Sequence, residues 1–322
     1  MVLNTIPSFM AEDIHCCVCQ NHDTQKFKLK YQKEKYAVVV CDTCDFHFIP
    51  PYYRKQIEYS NYKNANVTEA IRRGNNWLKV QRHKLRFRFV SKFVKQGKLF
   101  DLGAGWGHFM LAAKELGYDI YGVEISEEPY KYCVNDLKLP VDHTDFFDMD
   151  ESKKFDVITM WDVLEHIDKA DVFLQKCHKL TADGGYLILQ VPQIDSYFSK
   201  KQQDKWNMMG LDHVNYFSIK TMKQILANNG YEMVAVKSSF EIKLFIMYSI
   251  LPILKRFKGN RKKSVHETNV AINAAERQQF FNKVTAKPMW QLKLFVLIHN
   301  MLYNLLSFLN VGEEMMVAAK KV

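Results

Sequence analysis

The stretch KLFDLGAGWG, residues 98–107, decides the fold of this 322-residue chain. An apolar run ends at Asp101, glycines follow at positions 103, 105 and 107, and residues 108–116 have a helical pattern. Glycine tolerates positive φ and lets the backbone approach a ligand closely. The first N–H groups of a helix point toward such a ligand. The strand, turn and helix therefore predict a ligand site at the glycine turn.

A second strand pattern, residues 120–123, ends in Glu124, which lies 19 positions after Gly105. An acid about 20 residues beyond a glycine turn binds ribose hydroxyls in nucleoside-binding βαβ units. The glycines here are spaced G-x-G-x-G, whereas the dinucleotide fingerprint is G-x-G-x-x-G. The pattern therefore predicts an α/β core that binds a nucleoside.

The chain resembles the class I S-adenosylmethionine (SAM)-dependent methyltransferases in four blocks. FDLGAGWG and YGVEIS are similar to their first two motifs, FDVITMWDVLEHI (155–167) to the fourth strand and the segment after it, and LTADGGYLILQVP (180–192) to the fifth strand. The resemblance covers about residues 66–239 and returns at the C-terminus. It implies a Rossmann-like, doubly wound, seven-stranded α/β sheet with an antiparallel last strand. A Rossmann unit that binds a nicotinamide, or no ligand, is the alternative.

The resemblance also implies a set of cofactor-binding residues. They follow the ends of the first four core strands: Asp101, Gly103, Gly105, Glu124, Asp145, Phe146 and Asp162. The residues of the glycine turn would line the methionine end of SAM, and Glu124 would bind the ribose hydroxyls. Asp145 and Phe146 would flank the adenine, and Asp162 would lie near the sulfonium. Each could instead serve only as a turn or cap residue.

Two histidines are candidates for the base that deprotonates a methyl acceptor. His213 lies in the run LDHVNYFS (211–218), after the fifth strand, where the family's substrate loop is expected. Its H-x-x-Y-F-S pattern resembles the zinc-ribbon subgroup, which includes sugar C-methyltransferases with a histidine base in this region. His166, in DVLEH (162–166), is the second candidate. Structural roles remain open for both.

A metal site is a further interpretation of the DVLEH run. Asp162, Glu165 and His166 at the start of a helix would place three ligand types on one face. The run resembles the E-x-x-E-H of ubiquinone-type O-methyltransferases, which can hold a divalent cation, but aspartate replaces the first glutamate. Tyr59 and Tyr62, before the first long helix pattern, could close over the cofactor or pack as a linker.

Four of the seven cysteines form two C-x-x-C pairs: Cys16, Cys19, Cys41 and Cys44. Hairpin patterns at residues 27–31 and 36–40 lie between the pairs. This spacing predicts a zinc ribbon with four thiolate ligands and a structural role, since no coordination position is left for catalytic water. Cys17 is a spare thiol beside Cys16. Cys133 and Cys177 have the pattern of buried apolar residues.

The chain divides into five predicted segments. These are a zinc ribbon (1–51), a linker with a basic helix at about 67–95 (52–96), a SAM-binding core (97–239), a helical insertion (240–311) and a final core strand (312–322). The first 15 residues lack the pattern of a signal peptide, and no uncharged run reaches the ~18 residues of a transmembrane helix. With the cysteine usage, this favours a cytoplasmic location.

Net charge is +10, which favours anionic partners. In the insertion, the apolar run 242–254 is followed by a basic cluster, 255–263, and 290–309 is a second apolar stretch. Such a pattern is typical of interfacial membrane elements and predicts peripheral binding to the anionic inner face of a membrane through 240–311. A helical cap on the core, or a contact between two copies of the chain in a homodimer, is the alternative.

The resemblance implies a SAM-dependent methyltransferase that acts on a hydroxyl or carbon of a sugar, glycan or similar metabolite, either lipid-linked or nucleotide-linked. An RNA methyltransferase is an alternative, because a zinc ribbon and positive charge suit nucleic acid. Nucleic acid is less favoured, since no N-P-P-[YF] segment follows the fourth strand. A quinone-type small-molecule O-methyltransferase and a non-catalytic SAM-binding scaffold would also fit these motifs.

Overall fold

The computed structural model describes residues 6–54, 76–239, 288–308 and 312–322. The predictions for Tyr59, Tyr62 and the basic cluster 255–263 lie outside these residues. Most of the predicted insertion, 240–287, also lies outside them, as do residues 67–75 of the predicted basic helix. The fold and the candidate site are built from the described ranges.

The described residues contain eleven strands and eight α-helices. The strands are β1 (Phe27–Gln32), β2 (Ala37–Cys41), β3 (Phe46–Phe48), β4 (Lys98–Leu102), β5 (Asp119–Val123), β6 (Val141–Asp142), β7 (Phe155–Trp161), β8 (Thr181–Pro192), β9 (Asn215–Tyr216), β10 (Tyr231–Ser239) and β11 (Glu314–Lys321). The helices are α1 (Pro51–Arg54), α2 (Asn76–Val90), α3 (His108–Glu115), α4 (Glu127–Lys131), α5 (Ala170–Leu180), α6 (Tyr197–Gln202), α7 (Ile219–Asn228) and α8 (Met289–Phe308).

The central sheet has seven strands in the order β10-β11-β8-β7-β4-β5-β6. Strands β4 to β8 pair in parallel, whereas β11 lies antiparallel to both β8 and β10. The predicted Rossmann-like sheet with an antiparallel last strand is therefore confirmed. The chain turns from one half of the sheet to the other at β4, between β5 and β7. In open α/β sheets, ligands bind at this point, beyond the carboxyl ends of the strands.

The central strands of the sheet are mostly apolar, which explains why helices cover both of its faces. In β7 the residues from Val157 to Trp161 are all buried, and in β4 those from Leu99 to Leu102. Near-continuous apolar runs of this kind, interrupted here by Asp101 and Thr159, are typical of parallel strands with helices on both faces. Helix α7 begins at a capping box formed by Ser218 and Thr221, as the sequence S-x-x-T permits.

A second, four-stranded sheet has the order β1-β2-β3-β9. Its first three strands belong to residues 6–54, which we call the cysteine-rich unit, but β9 belongs to the methyltransferase-like core. The predicted hairpin is confirmed, with β1 and β2 antiparallel. The sheet of the cysteine-rich unit is completed by residues from beyond the fifth core strand, since β3 pairs with β9.

Helix α2 is shorter than predicted, and helix α8 packs in part against it. Helix α2 ends at Val90, five residues before the predicted end, and a turn leads to β4. Helix α8 buries Leu292 against Trp77 of α2 and exposes apolar side chains, including Trp290 and Met301, each 65% exposed. No described helix combines the length and the hydropathy that a membrane-spanning helix requires.

Candidate functional site

The glycine turn connects β4 to α3 with three glycines at positive φ. Gly107 has φ 71° and stands at the N-cap of α3. A Cβ there would come within 2.7 Å of Leu139 and 2.8 Å of the Cys133 sulfur. Both the backbone conformation and the close packing therefore require glycine, and the turn presents the N-terminus of α3 toward the edge of the sheet.

Glu124 joins the end of β5 to this turn. One carboxylate oxygen accepts a hydrogen bond from Gly105 N–H at 2.8 Å, and the other accepts one from Ser126 N–H at 2.7 Å. The side chain is buried, 7% exposed. A carboxylate can accept about four hydrogen bonds, so acceptor capacity remains for a ligand's hydroxyl groups.

Gly105 provides a test of whether a nucleoside cofactor fits this turn. Its φ is +52°, and a Cβ built there would meet no atom of the described residues within 4 Å. Packing against these residues therefore does not require glycine at this position. Its position beside the Glu124 carboxylate leaves an open cradle, as expected where a backbone closely approaches a ligand.

Asp101, at the end of β4, is 1% exposed and accepts a hydrogen bond from the Thr159 hydroxyl at 2.7 Å. Burial raises the pKa of Asp101 to about 7, although the Thr159 hydroxyl and the Arg86 charge oppose this shift. The carboxyl group therefore changes charge near neutral pH. A carboxyl poised in this way beneath a ligand turn is typical of functional sites.

Asp162 follows β7 and has the unusual φ of 60° for a non-glycine residue. Its two carboxylate oxygens accept hydrogen bonds from Gln190 at 2.9 Å and from Arg86 at 3.2 Å. The Arg86 guanidinium also lies 4.6 Å from the centre of the Trp161 ring. The carboxylate is thus fixed by one residue of α2 and one of β8.

Helix α2 brings further basic side chains to the neighbourhood of α3. His83 and His108 lie with their rings parallel, 6.4 Å apart. Burial lowers the pKa of His83 well below its usual value, that of His108 to about 3, and that of Lys79 to about 8. The sequence predicted only that α2 is basic. It did not predict that the Arg86 guanidinium reaches the Asp162 carboxylate.

Asp145 and Phe146 occupy the segment after β6. Asp145 is exposed and caps a short turn by accepting a hydrogen bond from Phe147 N–H at 2.8 Å. Phe146 is buried, with its ring 4.6 Å from that of Phe173 and 6.3 Å from that of Phe100. The Phe147 ring is 47% exposed. The predicted contacts with adenine stay predictions, and Phe147 is the aromatic residue of this turn that faces outward.

The two candidate histidines meet although they are 47 positions apart in the chain. The rings of His166 and His213 are 4.7 Å apart and nearly perpendicular. His166 Nδ1 lies 2.7 Å from the carbonyl of Asp212, and His213 Nδ1 lies 2.8 Å from that of Met208. A carbonyl oxygen only accepts, so Nδ1 carries the proton in each ring. In a neutral ring with this tautomer, Nε2 holds the lone pair.

Burial lowers the pKa of His213, and a proton on His166 would lower it further. His213 is therefore neutral at physiological pH, the form that accepts a proton. It lies in residues 206–217, which we call the His213 loop. This loop follows β8 and returns to the cysteine-rich unit through β9.

Glu165 lies beside this histidine pair and is 1% exposed. One of its carboxyl oxygens has no hydrogen-bond partner among the described residues, and the other lies 4.0 Å from His166 Nε2. Burial raises the pKa of Glu165 well above its usual value, and the Asp162 charge adds to this effect. A group of possible metal ligands is formed by Glu165, His166 and His213, whose ligand atoms lie within 4.8 Å of one another.

This group differs from the one considered in the interpretation of the DVLEH run. There, Asp162, Glu165 and His166 lie on one face of a helix start. Instead, residues 164–166 form a single 3₁₀ turn, and Asp162 is directed toward Gln190 and Arg86. The third member of the cluster is His213, which the loop supplies from a distant part of the sequence.

The four predicted zinc ligands converge, since the sulfurs of Cys16, Cys19, Cys41 and Cys44 all lie within 4.8 Å of one another. Two of the separations are 3.5 Å (Cys16–Cys44) and 3.7 Å (Cys19–Cys41). Zn–S bonds of about 2.3 Å in a tetrahedron require sulfur–sulfur separations of about 3.8 Å. The arrangement therefore fits a zinc ion. Cys17, Cys133 and Cys177 are buried and lie outside this cluster.

The fold and the glycine site define a class I methyltransferase, and the comparison with protein families agrees. A family model described as a methyltransferase domain matches residues 76–236, half of the chain. The chain therefore belongs to the methyltransferase-domain family. The prediction of a methyltransferase is confirmed at this level.

Two curated relatives match part of the chain. An uncharacterized methyltransferase of Staphylococcus carnosus is 29% identical over 97 residues, which are 29% of this chain and 47% of that protein. A ubiquinone biosynthesis O-methyltransferase of Pelagibacter ubique is 28% identical over 109 residues, 32% of this chain and 45% of that protein. Each match thus spans less than half the length of the curated relative.

Solved methyltransferase structures are similar at low sequence identity. A SAM-dependent methyltransferase from Archaeoglobus fulgidus is 19% identical, with a TM-score of 0.47 over 77% of this chain and 96% of that one. Magnesium protoporphyrin IX methyltransferase from Synechocystis, solved with bound S-adenosylhomocysteine, is 15% identical, with a TM-score of 0.44 over 55% of this chain and 90% of that one.

Proposed function

We propose that the chain is a SAM-dependent methyltransferase that methylates a hydroxyl or carbon of a sugar, glycan or similar metabolite. The observation that carries the proposal is the contact between His166, after β7, and His213, after β8, with both imidazoles held in the tautomer that can accept a proton at Nε2. Methyl transfer to a hydroxyl or carbon requires the acceptor to lose a proton. A positioned imidazole is a common base for this step.

The glycine turn and Glu124 would hold the cofactor, which supplies an electrophilic methyl group on its sulfonium. Glu124, already fixed by Gly105 and Ser126, would accept hydrogen bonds from the ribose hydroxyls. Asp101 would lie at the methionine end, and Asp162, held by Arg86 and Gln190, at the sulfonium. Because these side chains are fixed in advance, little reorganisation is needed when the cofactor binds.

His213 would act as the base. The proton of an acceptor hydroxyl, or of an acidic carbon, would move to His213 Nε2 when the acceptor takes the methyl group that the bound cofactor supplies from its sulfonium, which is left as the thioether. The Met208 carbonyl accepts the hydrogen bond from His213 Nδ1–H, so this bond is kept as the imidazolium develops. His166, whose ring lies 4.7 Å away, would orient the acceptor or take the role of base itself.

A structural zinc ion in the cysteine cluster completes the proposal. All four positions are thiolates, so the ion would have no open coordination position for catalysis. The pairing of a four-cysteine unit with H-x-x-Y-F-S supports a sugar-type acceptor through the resemblance already stated. The net charge of +10 suits an acceptor that carries phosphate, either nucleotide-linked or lipid-linked.

A direct test is a methyl-transfer assay with SAM labelled in its methyl group. Nucleotide sugars, lipid-linked sugars, a quinol precursor and transfer RNA are offered in parallel. We expect labelled product from one of the sugar classes, and loss of that product in His213→Asn. Transfer to RNA would favour an RNA methyltransferase. Tight SAM binding with no turnover on any acceptor would favour the SAM-binding scaffold.

A second candidate is a quinone-type O-methyltransferase that uses a divalent cation. The cluster of Glu165, His166 and His213 favours it, because two imidazoles and a carboxylate suit a transition metal. The similarity to a ubiquinone biosynthesis O-methyltransferase points the same way. Dialysis against EDTA, with zinc content measured afterwards, separates the two. Activity on a quinol precursor restored by Mg²⁺ or Mn²⁺ would favour this candidate, whereas unchanged activity with sugars would exclude it.

We further propose peripheral binding to the anionic cytoplasmic face of a membrane through residues 240–311. The exposed apolar side chains of α8, such as Trp290, Leu297 and Met301, support this proposal. A basic cluster at 255–263 in the sequence adds about 1 kcal/mol per basic residue at an anionic surface. Flotation with anionic vesicles should succeed at low salt and weaken at high salt. A dimer that stays in the soluble fraction in both would favour a helical cap or a homodimer contact instead.

A further inference from the structure

The His213 loop packs against the cysteine-rich unit along most of its length. Strand β3 pairs with β9, and the N–H of Ile49 donates a hydrogen bond to the carbonyl of Val214 at 2.9 Å. An apolar cluster joins the two parts. Its buried members include Tyr36, Val38, Ile49, Trp206, Met209 and Tyr216.

A tyrosine of the cysteine-rich unit reaches the segment that orients His213. The buried Tyr36 hydroxyl donates a hydrogen bond to the carbonyl of Met209 at 2.6 Å. The neighbouring carbonyl, that of Met208, accepts the hydrogen bond from His213 Nδ1. From within the loop, the Tyr216 hydroxyl donates to the carbonyl of Gly210 at 3.0 Å. Two phenols thus fix the short backbone segment that determines the orientation of the imidazole.

The other side of the loop is fixed to the turn that carries His166. Val214 N–H donates to the carbonyl of Glu165 at 2.8 Å, and the Asn215 amide donates to that of Ile167 at 2.7 Å. The loop is therefore held between the 164–167 turn of the core and the cysteine-rich unit. Burial raises the pKa of Tyr36 to about 12, so its hydroxyl remains a donor at physiological pH.

We infer that the cysteine-rich unit positions His213 for the reaction, with Tyr36 as the positioning residue. This inference rests on the proposed function, in which His213 is the base. Tyr36 itself does not touch the reacting atoms. It fixes the Met209 carbonyl, the next one along the chain after the Met208 carbonyl that sets the His213 tautomer. The metal-bound cysteines would in turn hold the hairpin of β1 and β2 that flanks Tyr36.

The test is Tyr36→Phe, with Tyr31→Phe as the matched control. Tyr31 is a half-buried tyrosine of β1 in the same unit. We expect kcat to fall about 5- to 10-fold in Tyr36→Phe, the loss typical of one buried hydrogen bond, while the Kd for SAM is unchanged. The ¹⁵N imidazole signals of His213 should change from a single Nδ1–H tautomer to a mixture. The control should leave both readouts unchanged.

Retention of the His213 tautomer in a folded Tyr36→Phe protein would overturn the inference. The tautomer readout does not require turnover, so a wild-type protein without activity would count against the proposed function alone. Zinc chelation in the wild-type protein provides a second measurement. Amide exchange in residues 206–217 should rise together with that in 37–48, while residues 98–123 stay protected. A loop that stays protected while the cysteine-rich unit opens would equally overturn the inference.

Discussion

The two halves of the candidate site are built in different ways. The cofactor half consists of β4, the glycine turn, α3 and β5, which are continuous in sequence from residue 98 to 124. The histidine half combines the turn at 164–166, the His213 loop and the cysteine-rich unit, which lie far apart in the chain. The first half is fixed by local geometry, whereas the second depends on contacts between distant segments. Perturbing each half should therefore have different consequences.

The largest effect is expected from the cysteines, because metal binding in a small unit is also folding energy. Cys41→Ser should lose one zinc per chain and unfold residues 16–48, which would release the His213 loop. Elemental analysis together with amide exchange measures both. Cys17→Ser is the matched control, since Cys17 is buried beside Cys16 but lies outside the cluster. A fully folded, metal-free wild-type protein would refute the zinc proposal.

His213→Asn should remove the proposed general base and leave the structure of the cofactor half unchanged. Asparagine can still donate to the Met208 carbonyl, so the loop should hold its shape. We expect turnover to fall about 10²- to 10⁴-fold, the usual contribution of a general base, with little change in SAM affinity. His22→Ala, at an exposed position of the cysteine-rich unit, is the control. Full activity in His213→Asn would transfer the role to His166 or remove the need for a base.

Ionisation of Asp101 should make the free energy of unfolding depend on pH. Its pKa is raised to about 7 in the folded protein, against about 3.9 in an unfolded chain. The folded state thus binds the extra proton, and stability should fall as pH rises from about 4 to 7, by at most about 4 kcal/mol.

Asp101→Asn should remove this fall, so that the variant gains stability relative to wild type at pH 8 but not at pH 4. Urea unfolding without added SAM, at both pH values, measures the difference. Asp119→Asn at the exposed start of β5 is the control. An identical loss of stability in wild type and Asp101→Asn would show that Asp101 is ionised throughout.

The smallest of these effects concerns Glu124. Glu124→Ala should weaken SAM binding by about 1.5–3 kcal/mol, because hydrogen bonds to a charged acceptor are lost. Titration calorimetry measures the affinity, and Glu128→Ala on α4 is the control. Wild-type affinity in Glu124→Ala would refute the assignment. A selective loss of affinity here, and of turnover in His213→Asn, would establish that the two halves act independently.

Much of the cofactor half could be predicted because its signals are short-range. The spacing of the glycines predicted the turn that the structure shows. The hydrogen bond from Gly105 N–H to the Glu124 carboxylate was not predicted. Asp162 was predicted as a site residue, but its φ of 60° and its partners Arg86 and Gln190 were not. They lie 76 and 28 positions away, and no periodic pattern relates residues at such separations.

The sequence by itself determined the class of protein, the sheet and the cysteine cluster, because each depends on residue types at fixed local spacing. Only the tertiary structure decided that His166 meets His213 rather than joining Asp162, and that β9 completes the sheet of the cysteine-rich unit. These contacts follow from packing and strand pairing between segments separated by tens to hundreds of residues. Local spacing carries no information about such pairings, since the energy that selects them arises only when the chain is folded.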